Sequence, residues 1–208
     1  MSAMPRWRAF NVCAMLALTG CASTPPSSFY TLSPVTDAAP TLTDGELGVG
    51  LGPVSFPGFL DRPQIVTRAD GNRLTIDEFH RWGGTLQDDF MRVWGENLGR
   101  LLGTSRILVL PSEIRYPLDV RIAADALAFP GTADGQAVFK VRWVVLDPSL
   151  EQVLTVRENS YHRALAEPGD ENALIAALSA TLADFSQDVA TLVRDLPKRA
   201  AMPDQSAR

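Results

Sequence analysis

The stretch from Val138 to Leu146 narrows the choice of fold more than any other part of this chain. Side chains alternate across a strand, so Phe139, Val141, Trp143 and Val145 share one face, and Val138, Lys140, Arg142 and Val144 share the other. A wholly apolar face has to be covered, and two helical segments are present to cover it. From Glu171 to Leu196, the residues Leu174, Leu178, Leu182, Phe185, Val189, Leu192 and Leu196 recur every three or four positions, the period of an amphipathic helix. Asp170 is placed to cap its start and Pro197 to stop it. An earlier stripe, Leu86, Phe90, Val93, Trp94, Leu98, Leu101 and Leu102, has the same spacing. Thr85 with Asp88 forms a capping-box pattern at its start, and Gly103 suits a left-handed cap at its end. Gly95 and Gly99 lie near that stripe and weaken the helix, which suggests that a strand approaches closely there.

The remaining segments read as β. Strands are expected around Phe29–Leu32, Leu47–Phe56, Gln64–Arg68, Arg73–Phe79, Ile107–Leu110, Asp119–Leu127 and Gln152–Arg163. Asp70-Gly71 marks a hairpin turn between the third and fourth, and Ile107–Leu110 is short and apolar enough for a buried strand. Strands, helix, strands, helix makes an α+β fold: a mostly antiparallel sheet with two amphipathic helices packed on one face.

The N-terminus determines where such a domain works. Arg6 and Arg8 precede an apolar run from Phe10 to Leu18, which is far shorter than the ~20 residues of a membrane-spanning helix and is typical of an export signal. The run ends in Leu18-Thr19-Gly20-Cys21, which resembles the lipobox of bacterial lipoproteins. That resemblance implies a diacylglyceryl thioether on Cys21, removal of residues 1–20 and acylation of the new terminus. Several acyl chains on one Cys anchor a protein stably where a single chain would not. Cys13 leaves with the signal, so no intramolecular disulfide is available. By the same resemblance, Ala22, where Asp would favour retention in the inner membrane, implies the outer membrane. The expected organisation is a signal peptide (1–20), a lipidated Cys with a flexible Pro-rich tether (21–28), a single domain (29–197) and a disordered tail (198–208).

Signal removal takes two of the 19 basic residues and none of the 24 acidic ones. An acidic domain is a poor partner for phosphate backbones, so nucleic acid is not expected. The residues also supply little catalytic chemistry. His80 and His162 are the chain's two histidines and sit in no H-E-x-x-H pattern, C-x-x-C is absent, and there is no G-x-S-x-G elbow. Gly48-Val49-Gly50-Leu51-Gly52 resembles a phosphate loop but leads into Pro53 and a strand, whereas dinucleotide loops open a helix. Asp88-Asp89 falls in a helix's first turn, where acids complement the dipole. The expectation is a non-enzyme without cofactor or metal.

Pro53 to Arg68 is unusual, because three prolines flank Phe56, Phe59 and Leu60 in what reads as a loop. Such aromatics either plug the core edge or contact a partner. With Phe29-Tyr30-Thr31-Leu32 before it and Arg81-Trp82 after it, the run Pro57-Gly-Phe-Leu-Asp-Arg-Pro-Gln-Ile-Val-Thr-Arg68 resembles the PqiC family of ABC-type transport auxiliary lipoproteins. Gly83-Gly84-Thr85-Leu86 departs from the Ala-Glu-Pro-Leu common in that family. The resemblance implies an outer-membrane lipoprotein facing the periplasm, beside an MCE-type tunnel protein that moves lipid between membranes and supports envelope integrity. Phe59, Leu60, Asp61 and Arg62 are the candidate partner-binding residues, with Arg68 and Trp82 supporting the loop. Self-association into a ring matching an oligomeric tunnel is left open. The alternative is a lipid carrier with a pocket between sheet and helices.

Overall fold

The computed structural model describes residues 25–34 and 47–196. The signal peptide, Cys21, residues 22–24 of the tether, Pro197 and the tail lie outside the described residues. Among the described residues, nine strands and two helices follow in the order β1 (Ser28–Tyr30), β2 (Val49–Ser55), β3 (Gln64–Arg68), β4 (Leu74–Trp82), α1 (Leu86–Leu102), β5 (Ile107–Val109), β6 (Val120–Ala128), β7 (Gly131–Thr132), β8 (Gln136–Leu146), β9 (Val153–Ala164) and α2 (Glu171–Asp195).

All nine strands join one sheet, built around β8. One edge of β8 pairs with β9 along its length. The other edge is shared by β6 and, past the break at Phe129-Pro130, by β7. Two wings grow from there: β6 carries β2 and β5, and β7 carries β3, β4 and β1. The sheet is mixed, which corrects the expectation of a mostly antiparallel one. Sequence neighbours that form hairpins, β3–β4 and β8–β9, are antiparallel as read. The pairs β1–β4, β2–β5, β2–β6 and β3–β7 are parallel. Each joins strands far apart in the chain, with whole elements between them, and the pattern within a strand carries no record of such partners.

Both helices cover the face that holds Phe139, Val141, Trp143 and Val145. Phe185 of α2 stacks on Trp94 of α1 (5.2 Å between centroids) and meets Phe139 and Trp143 edge-on (5.4 and 5.8 Å). Thr85 Oγ1 accepts from the Asp88 amide, and Gly103 closes α1 at φ 66°. Asp170 caps α2 by accepting from the Ala173 amide at 2.6 Å. Gly95 lies in contact range of Ile107 and Val109, so the glycines of α1 do face a strand. That strand, β5, is at the sheet edge; Leu108 is buried, but Val109 is 40% exposed, unlike the buried strand expected. The segment after β1 is tied between both helices. Leu32 N donates to Asp89 (2.6 Å), Leu32 O accepts from Arg92 (2.9 Å) and Ser33 N donates to Ser179 Oγ (3.1 Å).

Candidate functional site

Residues 56–63 connect β2 to β3 as a tight turn, in which Pro57 O accepts from the amides of Leu60 (2.8 Å) and Asp61 (3.3 Å). Phe56 turns inward and meets Phe90 and Phe129 edge-on at 5.4 and 6.1 Å. Leu60 is only 3% exposed, so burial of its side chain corrects its assignment to a partner-facing surface. Phe56 and Leu60 are the core plug, while Asp61 is exposed at the apex with Phe59 and Arg62 half-buried beside it. Arg62 Nε is buried without a hydrogen-bond partner. Trp82 is buried, and its amide donates to Pro63 O at 2.7 Å, fixing the loop's exit. Arg68 touches the segment after β7 through its backbone, its carbonyl accepting from Ala133 N at 3.0 Å.

The space between sheet and helices is filled by aromatic side chains. A cleft of about 560 Å³ opens instead on the opposite face. Leu51 and Ile122 point toward the helices, so their strand neighbours Gly50 and Arg121 point away, toward Leu110 and Leu118. Pro53, Leu108, Ile114, Arg115 and Tyr116 also line it. Ile114 is 67% exposed and Arg121 Nε is buried without a partner. Arg106 lies 5.6 Å from the Tyr116 ring centroid, and burial pushes the Tyr116 hydroxyl pKa above its ordinary value despite that cation.

A third location went unseen in the sequence. Asp77 and His80 of β4 meet Glu171 at the start of α2. The Asp-x-x-His spacing was legible; the carboxylate from the far end of the domain was not. His162 is exposed, with Nε2 3.0 Å from Ser160 Oγ.

These features define a two-layer α+β domain whose candidate sites lie at its surface: a projecting turn, an open cleft and a carboxylate–imidazole cluster. The chain belongs to the family described as the ABC-type transport auxiliary lipoprotein component, whose model matches residues 30–190. The resemblance carried by Leu60-Asp-Arg-Pro-Gln-Ile-Val66 therefore holds at the level of the family. Among solved structures, an uncharacterized protein matches with a TM-score of 0.67 at 15% identity, covering 81% of this chain and 99% of its own. A protein from Xanthomonas campestris matches with a TM-score of 0.62 at 17% identity, covering 80% and 94%. At such identities the likeness concerns the fold. No curated protein matches the sequence. No described helix is long and apolar enough to cross a membrane.

Proposed function

We propose that this auxiliary lipoprotein is the outer-membrane docking subunit of an MCE/ABC-type intermembrane lipid transport system and is not itself an enzyme. The observation that carries the reading is the family match across residues 30–190, to which the Leu-Thr-Gly-Cys21 motif adds an anchor. Six residues separate Cys21 from β1, a reach of at most about 25 Å between the Cα atoms of Cys21 and Ser28, so the tether holds the domain against the membrane surface. β1 lies beside β4, whose Trp82 fixes the 56–63 turn, and the turn therefore belongs to the tethered wing. Asp61 and Arg62 would set the register of a charged partner surface, and Phe59 would supply apolar contact area. Fractionation and pull-down from native envelopes test this. Wild type should sit in the outer membrane and capture an MCE-type protein, and Cys21→Ala should leave that membrane. A soluble wild type, or one that captures no such protein, would contradict the reading.

The 560 Å³ cleft favours a second reading, in which the domain itself holds lipid. Leu110, Ile114 and Leu118 would bear the acyl chain, and Arg115 and Arg121 an anionic head group. This places the pocket on the face away from the helices, not between them and the sheet. Mass spectrometry of the Cys21→Ala chain should then find lipid that Ile114→Glu removes; a lipid-free chain would sink this reading alone.

A further inference from the structure

Asp77 and His80 are three residues apart, a spacing that puts side chains of a regular strand on opposite faces. The register with β3 explains why they meet. Val66 pairs with Ile76 and Gln64 with Arg81, so Ile65 alone lies opposite residues 77–80. The extra residues fold out as a bulge, a device that re-aims side chains and recurs beside functional sites. Asp77 Oδ1 closes the bulge by accepting from the amides of Phe79 (2.8 Å) and His80 (2.9 Å). Its Oδ2 stands 2.8 Å from His80 Nδ1. That distance is an ion pair's, and Nδ1 is buried against the carboxylate.

Glu171, the first residue of α2, completes the group. Its Oε2 is buried with no hydrogen-bond partner among the described residues. A ring nitrogen of His80 and one oxygen from each carboxylate lie within 4.8 Å of one another. Burial raises the pKa of Glu171, and the charges of Asp77 and Asp170 add to that, against the pull of His80. Burial also pushes Asp77 up, but its contact with His80 and the two amides outweigh it and hold the carboxyl below its ordinary value. Two carboxylates and an imidazole thus converge, and among the described residues Glu171 Oε2 has no hydrogen-bond partner. Asp170 is committed elsewhere, as the cap of α2.

We propose that Asp77, His80 and Glu171 form a binding site for a divalent transition-metal ion, Zn²⁺ foremost. An imidazole nitrogen beside two carboxylates suits Zn²⁺ and its neighbours, whereas Ca²⁺ and Mg²⁺ favour all-oxygen shells. With bonds of about 2.0–2.2 Å, tetrahedral donor atoms stand about 3.3 Å apart. Closing the widest separation takes a shift of at most about 1.5 Å, within reach of side-chain rotation. Three protein ligands leave the fourth position to water. The ion would fasten the bulge of β4 to the first turn of α2. The site stands independently of the transport reading.

The test uses the untagged full-length lipoprotein in detergent, stripped with EDTA and titrated with ZnCl₂ by calorimetry, with X-ray absorption on the loaded wild type. One equivalent should bind, with a nitrogen/oxygen shell near 2.0 Å that includes imidazole scattering. His80→Gln and Glu171→Gln, each checked for folding by circular dichroism, should weaken binding by at least about tenfold, and His162→Gln should leave it unchanged. The absence of saturable binding would overturn the proposal. So would undiminished binding in both His80→Gln and Glu171→Gln, or a wild-type shell without imidazole, an outcome that needs no variant.

Discussion

The β8–β9–α2 half of the molecule and the β3–β4 wing both rest on an antiparallel hairpin, one regular and one bulged. From Gln136↔Ala164 to Val145↔Thr155, β8 and β9 pair without interruption. Their polar side chains are matched too. Trp143 Nε1 donates to Asn159 (3.0 Å), the Tyr161 hydroxyl to Asp188 (2.7 Å), and Arg163 pairs with Asp184 at 2.5 Å. In the other wing the ladder breaks at 77–80, and Arg62 Nε is buried with no hydrogen-bond partner among the described residues, as is Glu171 Oε2 where α2 begins beside that wing. Buried polar groups are ordinarily satisfied. The difference teaches that an unbroken ladder keeps its polar side chains matched, while a bulged one leaves room for polar atoms without a partner in the chain.

Substitutions can break or sharpen this contrast. The largest effect is expected at Phe185, which touches aromatic rings of α1, β8 and β9. Phe185→Ala should cost about 3–5 kcal/mol in denaturant unfolding; a loss below 1 kcal/mol would mean the regular half is not the stability core. Gly131 joins the halves through β7, and a Cβ there would stand 2.8 Å from Leu174 Cδ1. Gly131→Ala should cost about 1–3 kcal/mol, since the buried leucine must shift. Asp170→Ala removes the cap of α2 and should cost about 1 kcal/mol. Arg62→Met should leave stability unchanged or raise it, because it removes a buried nitrogen that has no partner to lose. A clear destabilisation there would erase the contrast between the halves.

The smallest effect is expected at Glu158. Hydrogen bonds from Lys140 first, and then Arg142, hold its pKa below the ordinary 4.5, over contacts of 2.9 and 3.0 Å. A carboxyl lowered on folding stabilises fully above its unfolded pKa and loses that contribution as pH falls through the folded value. Glu158→Gln should therefore flatten stability slightly below about pH 4.5 and leave the shape of the profile at neutral pH alone. Chemical denaturation across that range reads it.

Legibility in the sequence follows the same division. Strand alternation in Val138–Leu146 and the stripes of both helices report burial directly, so those elements, the Thr85, Gly103 and Asp170 caps and the Asp70-Gly71 turn were all readable. The parallel pairings were not, because they depend on partners separated by whole elements. β7 is two residues long and was hidden in a turn of Pro130 to Gly135. In the loop, composition flagged Phe56, Phe59 and Leu60 together; only packing separates Phe56 and Leu60, which face inward, from exposed Asp61. The cluster at Asp77, His80 and Glu171 depends on a bulge and a long-range contact, neither of which leaves a periodic trace.

The docking claim is tested most directly by a photocrosslinking amino acid at position 61, at the exposed apex of the turn, with the same residue at exposed Arg157 on β9 as the comparison. In native envelopes, position 61 should capture an MCE-type protein and position 157 should not. Capture at 157 alone, or at neither position with the lipoprotein correctly anchored, would contradict docking through the 56–63 turn.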